Sequence, residues 1–203
     1  MFEGLTLGHI ATVIICLLIS ITIHEFMHAY VGYRLGDNTA FENGRVSFNP
    51  LRHIDPLMTI LLPAVTLLLF QVPILAAKPV PFNPARLKYD EYGAALLALA
   101  GPVSNLALAF LGALLFKVVD FGGLTEAMVF FVQINVALFI FNMIPIPPLD
   151  GSRVLYAFAP EPLRRLLEQL EPIGFFIIIA LLVWGGLGGF LGTLNQFVLN
   201  LLP

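Results

Sequence analysis

The chain has 203 residues, of which 59% are hydrophobic and 11% are charged. Its mean hydropathy of +0.92 excludes an ordinary soluble domain. A formal net charge of −3 without any block of lysine or arginine argues against a nucleic-acid partner. The single cysteine, Cys16, cannot form an intrachain disulfide. We therefore expect one integral-membrane domain over residues 1–203, with the lipid bilayer as its surroundings.

Four apolar runs are long enough, at about 20 residues or more, to cross a bilayer as helices. They cover residues 7–33, 92–116, 127–148 and 173–201. A fifth run, 57–77, contains two prolines, which favour a broken segment that enters and leaves the membrane on one face. The predicted fold is an all-α polytopic membrane protein with about four transmembrane helices and this re-entrant segment. The start of the chain lacks a positive region, so we expect no cleaved signal peptide.

The first apolar run contains the motif His24-Glu25-Phe26-Met27-His28. On a helix, positions i and i+4 lie on one face, so His24 and His28 can bind one metal ion. Glu25 is rotated by about 100° from His24, which lets its carboxylate act as a general base on a water molecule at the metal. The alternative is two hydrogen-bonded core histidines beside a buried acid. Ionisable groups inside a membrane span are rare and usually functional, which favours the metal site.

The segment between residues 34 and 84 carries two signals for extended structure. Asn43-Gly44 separates residues 39–42 from residues 45–48, a pattern that predicts a short membrane-edge β-hairpin with a type I′ turn. Prolines at positions 79, 81 and 84 predict an extended, non-helical segment. These strands either bind a substrate by adding a strand to an edge or cap the re-entrant segment. His53 either supports or gates the metal site or is an interfacial histidine.

A third metal ligand is needed, because a catalytic zinc normally has three protein ligands. Asp150 is the best candidate, since it follows Pro145, Pro147 and Pro148, which must unwind the end of a membrane span. Unwound backbone at membrane depth is tolerated where it is buried in protein or lines a polar cavity. The alternative for Asp150-Gly151 is a plain loop turn.

The last part of the chain predicts a surface helix and a membrane helix. Residues 161–171 read as a short amphipathic helix at the cytoplasmic surface. The run 173–201 is longer than a minimal span and contains two glycine pairs, so it predicts a tilted or broken helix. A role of this helix as a lateral gate for substrate is a hypothesis.

The metal site also predicts the topology. For His24 and His28 to meet Asp150, the first span and the span that precedes Asp150 must run in the same direction, which requires 57–77 to be re-entrant. One face then holds nine of the ten lysines and arginines. This bias predicts that the N-terminus lies outside and the active site lies toward the cytoplasmic face of the cell membrane.

Three motifs together resemble the site-2 protease family of intramembrane zinc metalloproteases. They are His24-Glu25-x-x-His28, Gly101-Pro102-Val103-Ser104-Asn105 and Asn142-x-x-Pro145-x-Pro147-x-Leu149-Asp150-Gly151, in this order along the chain. The resemblance covers about residues 20–155. It departs from the family in the bulky residues between Glu25 and His28, and in the lack of the PDZ domain that many members carry.

The resemblance implies that His24, His28 and Asp150 bind one zinc ion and that Glu25 is catalytic. It also implies that Asn105 and Asn142 position the substrate or stabilise an oxyanion. For Asn105 the alternative is a hydrogen bond that joins membrane helices.

The sequence thus predicts a zinc metalloendopeptidase that cuts single-span membrane proteins within or near the bilayer, for regulated intramembrane proteolysis. A metal transporter or sensor with the same ligands is the main alternative, and an inactive helix-binding scaffold is another. Glu25 separates the first two, because metal transit needs ligands but no general base. The oligomeric state does not follow from the sequence.

Overall fold

The computed structural model describes residues 6–61, 65–66, 78–184 and 187–203. Its α-helices are α1 (Leu7–Arg34), α2 (Thr39–Glu42), α3 (Asp90–Val118), α4 (Thr125–Asn142), α5 (Asp150–Phe158), α6 (Glu161–Leu170), α7 (Gly174–Val183) and α8 (Leu187–Leu201). Single turns of 3-10 helix cover Pro50–Arg52, Pro84–Arg86 and Gly122–Leu124, and a π-helical turn covers Pro56–Leu61. The predicted all-α class holds for these ranges.

Three helical stretches are long and apolar enough to cross a membrane, namely α1, α3 and Gly122–Asn142. Helices α6 and α7 pass the same test as a pair, although they meet at an angle of 77°. The protein is therefore a multi-pass membrane protein with three spans in its described ranges, or four if the bent pair counts as one. Exposed side chains such as Ile15 and Phe110 suit surfaces that face lipid.

Helices α1 and α3 run antiparallel. The backbone N–H of Lys88, just before α3, donates to the carbonyl of Leu35, just after α1, at 2.9 Å. Deeper in the pair, His24 of α1 contacts Asn105 of α3 at 2.6 Å. Because partners on α3 advance along the chain as those on α1 go back, the two helices point in opposite directions.

Helices α1 and α4 run parallel. His9 Nε2 lies 3.1 Å from Glu126 Oε2 near the start of both helices. One to three turns further on, Asn135 Nδ2 donates to Ser20 Oγ at 2.9 Å. The end of α1 and the end of α4 therefore lie on the same side of the domain, in agreement with the direction that the metal site requires. On its other flank, α4 packs against α3 and α8 around the buried Ala109, Val136 and Ile140.

The predicted β-hairpin is wrong, and residues 39–42 form the one-turn helix α2 instead. The N–H of Gly44 donates to Phe41 O and that of Arg45 donates to Ala40 O, both at 2.9 Å. With Gly44 at a φ of +67°, these two bonds form a Schellman motif that ends the helix. An Asn-Gly pair suits this C-terminal cap as well as it suits a hairpin turn, so the signal was ambiguous. No strand occurs in the described part of the chain.

The predicted re-entrant segment lies largely outside the described residues, which include only 57–61 and 65–66 of it. Residues 78–83 form neither helix nor strand. The N–H of Lys78 donates to His53 O at 3.1 Å, which ties the start of this segment to the loop after α2. In the last predicted span, α7 ends at Val183 and α8 begins at Leu187. The gate role of this region stays a prediction.

Asp37 ties the end of α1 to the segment before α3. Its side chain is fully buried and accepts hydrogen bonds from Thr39 N at 3.0 Å, Thr39 Oγ1 at 2.5 Å and Asn83 N at 2.6 Å. Burial by itself would raise the pKa of this carboxyl. The hydrogen bonds from Thr39 and Asn83 outweigh burial, so the pKa lies below its ordinary value of 3.8.

We expect Asp37→Ala to lower the free energy of unfolding by about 2 kcal/mol, because hydrogen bonds to a charged group contribute about 1.5–3 kcal/mol. Since the folded-state pKa is depressed, this contribution is present above about pH 4 and is lost as the pH falls through the folded-state pKa. Thermal unfolding of the detergent-solubilised protein between pH 3 and pH 7 measures both effects. The difference between wild type and Asp37→Ala should shrink toward the acid end, and a difference independent of pH would contradict this account.

Candidate metal centre

Three metal-binding side chains meet on the inner face of α1. His24 and His28 are both buried, and their Nε2 atoms lie 2.9 Å apart. Asp150 Oδ2 lies 3.3 Å from each of these nitrogens. The helix spacing brings the two histidines together, as the sequence predicts, and the first residue of α5 brings the carboxylate. The described residues contain this one group of three or more such ligands.

The outer ring nitrogens of both histidines are held by α3. His28 Nδ1 lies 2.8 Å from the carbonyl oxygen of Leu97, which can only accept a hydrogen bond. His28 therefore carries its proton on Nδ1, and the lone pair of Nε2 is directed at Asp150. His24 Nδ1 is 2.6 Å from Asn105 Oδ1, an arrangement with the same consequence. Metal-binding histidines are commonly oriented in this way.

The donor set fits zinc. Two imidazoles and a carboxylate are ligands that zinc takes in catalytic sites. Tetrahedral coordination at bond lengths of 2.0–2.1 Å separates neighbouring ligand atoms by about 3.3 Å, close to the three separations seen here. The backbone of α3 also leaves room for the ion. A Cβ on Gly101 would lie 2.4 Å from His28 Nε2 and 2.6 Å from His24 Nε2.

A cavity of about 490 Å³ opens beside the three ligands. Glu25 and Asn142 line it, so the structure brings these two predicted residues to the metal centre. Most other lining side chains are apolar, which limits the water that reaches the site. They include Leu17, Ile21, Phe82, Leu138, Phe141, Phe175 and Ile178.

Asp150 is placed by a tight turn between α4 and α5. Helix α4 ends at Asn142 and α5 starts at Asp150, so the proline-rich segment unwinds the chain as predicted. A Cβ on Gly151 would lie 2.3 Å from Met143 O, and one on Gly174 would lie 1.9 Å from Pro147 O. The two glycines let the backbone pack against both ends of the turn. The glycine after Asp150 therefore has a packing reason besides its place in a motif.

Asn142 and His53 differ in their relation to the site. Asn142 Nδ2 donates to Leu138 O at 2.9 Å, and the side chain remains partly exposed in the cavity. His53 does not line the cavity. It is 2% exposed, and its Nε2 donates to Ser47 O at 2.7 Å. Its position suits a residue that organises the loop after α2, and the predicted support or gating of the metal site stays a prediction.

Arg45 is a residue near the site that the sequence did not reveal. It is 4% exposed, and its guanidinium donates to the carbonyls of Arg52, Lys78 and Pro79. Pro79 lines the metal cavity, so Arg45 fixes part of the cavity wall. Burial lowers the pKa of Arg45, and the charges of Glu25 and Asp55 oppose this shift. An arginine remains charged in proteins, so a cation lies within electrostatic reach of Glu25.

Asn105 is fully buried and does not line the cavity. Besides the contact to His24, its Nδ2 donates to Asn135 Oδ1 at 2.9 Å and to Ser20 O at 3.3 Å. All its polar contacts are therefore to protein groups. The sequence missed Ser20, Asn135 and Gly101. For Asn135, a second asparagine in an apolar span was the available signal, because polar side chains there are costly without partners.

Comparison with known proteins supports the same class of site. Residues 117–185 match the profile of Peptidase family M50. YwhC of Bacillus subtilis, named a candidate zinc metalloprotease, is 37% identical over 184 residues, covering 84% of this chain and 79% of YwhC. Rip2 of Mycolicibacterium smegmatis, named likewise, is 29% identical over 181 residues, covering 82% of this chain and 64% of Rip2.

An archaeal relative extends the comparison. A candidate zinc metalloprotease of Methanocaldococcus jannaschii is 34% identical over 133 residues, covering 65% of this chain and 62% of that protein. No solved structure matches the chain. The family profile covers Asn142 and Asp150, and the match to YwhC extends over most of both chains. The chain therefore belongs to peptidase family M50, the site-2 protease family.

Proposed function

We propose that this protein is an intramembrane zinc metalloprotease that hydrolyses peptide bonds of membrane-protein substrates. The observation that carries the proposal is the meeting of His24, His28 and Asp150 with Glu25 in one cavity between membrane-capable helices. His24 Nε2, His28 Nε2 and Asp150 Oδ2 would hold one zinc ion per chain. Glu25 would be the catalytic residue, and the names of the relatives agree with this chemistry.

The zinc ion, when bound, acidifies a water molecule and polarises the carbonyl of the peptide bond. Glu25 accepts the proton of that water on its carboxylate and later delivers it to the nitrogen of the leaving amine. Asn142 has a second amide N–H beyond the one given to Leu138, and it can donate to the oxyanion that develops on the substrate. The apolar walls of the cavity strengthen these interactions by limiting water.

The proposed substrate is a single-span membrane protein, cleaved near its cytoplasmic end in regulated proteolysis. A helix hides its peptide bonds, so the scissile segment must unwind to enter the cavity. Nine of the ten lysines and arginines fall on the face that we assign to the cytoplasm, which places the N-terminus outside the cell membrane. Water then reaches the metal centre from the cytoplasmic face, because the lipid side is dry.

Cleavage of tagged single-span membrane proteins by the purified protein in liposomes tests the proposal. We expect cutting by the zinc-loaded protein, loss of cutting with a chelator, and recovery when zinc is added back. Mass spectrometry of the products gives the depth of the scissile bond. Zinc flux across the same liposomes without cleavage of any substrate would instead favour a metal transporter, and the metal centre would then be a transit site.

A further inference from the structure

We propose that Asn135 and Ser20 set the orientation of the Asn105 side chain, which in turn keeps His24 Nε2 free to bind a metal. Asn135 and Ser20 would thus be positioning residues for the metal centre, although neither lines its cavity. The inference rests on the proposed zinc site, since a free Nε2 matters only if His24 is a ligand.

The three polar side chains form a closed network in the middle of the membrane domain. Ser20, Asn105 and Asn135 are each 0% exposed and come from α1, α3 and α4. Asn105 Nδ2 donates to Asn135 Oδ1 at 2.9 Å. Asn135 Nδ2 donates to Ser20 Oγ at 2.9 Å, and Ser20 Oγ donates to Cys16 O at 2.8 Å. Buried polar groups of this kind need complete satisfaction, which makes their directions definite.

Backbone carbonyls determine the direction of every bond, because a carbonyl can only accept. Cys16 O takes the hydroxyl proton of Ser20, so the Ser20 oxygen is left to accept from Asn135. Phe131 O lies 2.9 Å from Asn135 Nδ2 and likewise requires the NH₂ end of this amide. Asn135 must therefore direct its carbonyl oxygen at Asn105.

The same logic then applies to Asn105. Asn135 Oδ1 and Ser20 O are both acceptors, so Asn105 turns its NH₂ group toward them and its Oδ1 toward His24. That oxygen can only accept, so His24 must carry a proton on Nδ1, and the neutral ring keeps a lone pair on Nε2. A reversed Asn105 amide would donate to Nδ1 and would place the ring proton on Nε2, where it blocks metal binding.

A simpler role for this network is to hold helices together, since polar side chains join membrane helices. That role predicts that loss of Asn135 weakens the fold irrespective of the residue at position 105. The positioning role predicts a dependence on the asymmetry of the Asn105 amide. A carboxylate at this position accepts from His24 with either oxygen and needs no partner to select its orientation.

The test is zinc affinity of the detergent-solubilised full chain, measured by competition with chelator-buffered zinc. We expect Asn135→Leu to weaken zinc binding by about tenfold, within the range for loss of groups that orient a ligand. Asn105→Asp should bind zinc at least as tightly as wild type, because a carboxylate still accepts the His24 N–H. Adding Asn135→Leu to Asn105→Asp should then cause no further loss. Ser20→Ala, a smaller change, should follow the same pattern and serves if Asn135→Leu does not fold.

Each outcome assigns blame to one idea. Equal weakening by Asn135→Leu with and without Asn105→Asp would overturn the positioning role in favour of helix packing. Zinc affinity unchanged in both Asn135→Leu and Ser20→Ala would also overturn it. Failure of the wild-type protein to bind zinc would instead reject the proposed function. Thermal unfolding of the zinc-free variants separates a loss of metal affinity from a loss of fold.

Discussion

Glu25→Gln is expected to lower the rate of substrate cleavage by about 10²- to 10⁴-fold, the usual contribution of a general base, while zinc stays bound. Glutamine has nearly the same shape as glutamate but cannot accept the proton from water. Zinc is retained because the three ligand atoms that converge come from His24, His28 and Asp150. Zinc content of the purified variant and cleavage in liposomes are the two measurements.

His24→Ala gives the contrasting result, because it removes one of the three ligands and should lose both zinc and cleavage. His9→Ala is the matched control, since His9 lies on the same helix, bonded to Thr6 and Glu126 at its start. It should keep both properties. Equal loss of zinc in Glu25→Gln and His24→Ala would make Glu25 a ligand and would contradict the assignment of a general base.

The parts of the site that could be predicted from sequence depend on local geometry. The i, i+4 spacing of His24 and His28 is a property of any helix, and the apolar run around them demanded a helix. Asp150 could be predicted because three prolines end the preceding span at a point where only a functional reason tolerates unwound backbone. Both predictions needed no knowledge of how the helices pack.

The errors arose where one local signal suits two structures. Asn43-Gly44 fits a hairpin turn and a helix C-cap equally well, and the choice was made by bonds from Asp37 and by the buried Arg45 side chain. Arg45 itself counted as one of the cations on the cytoplasmic face, although it lies inside the protein. Its carbonyl partners come from residues 52 and 78–79, and no sequence pattern links these positions.

Contacts between distant helices also hid the role of Gly101. The sequence suggests that Gly101-Pro102 kinks a helix or allows close packing, and both suggestions leave the neighbour unknown. In the structure, the neighbours are the ligand nitrogens of the metal centre, 2.4–2.6 Å from where a Cβ would lie. The glycine thus provides the space in which an ion can sit.

Gly101→Ala is therefore expected to weaken zinc binding by at least about 100-fold, the upper end of the loss seen when a group that orients a ligand is removed. The new methyl group would lie among the atoms that bind the metal. The imidazoles cannot move aside and still bind, since Nδ1 of each is held by Asn105 or Leu97 on α3. Cleavage should fall with zinc occupancy.

The same substitution should not unfold the protein, which makes the result specific. Alanine in a helix is favoured over glycine by about 0.5–1 kcal/mol, and without zinc the two rings can turn away from the methyl group. Gly112→Ala on the same helix is the matched control. Its Cβ would meet Val132 Cγ2 at 2.9 Å, so it tightens the contact with α4 far from the metal centre. Gly112→Ala should bind zinc like wild type, and zinc affinity equally reduced in both variants would show that α3 packing, and not the space at Gly101, controls the metal site.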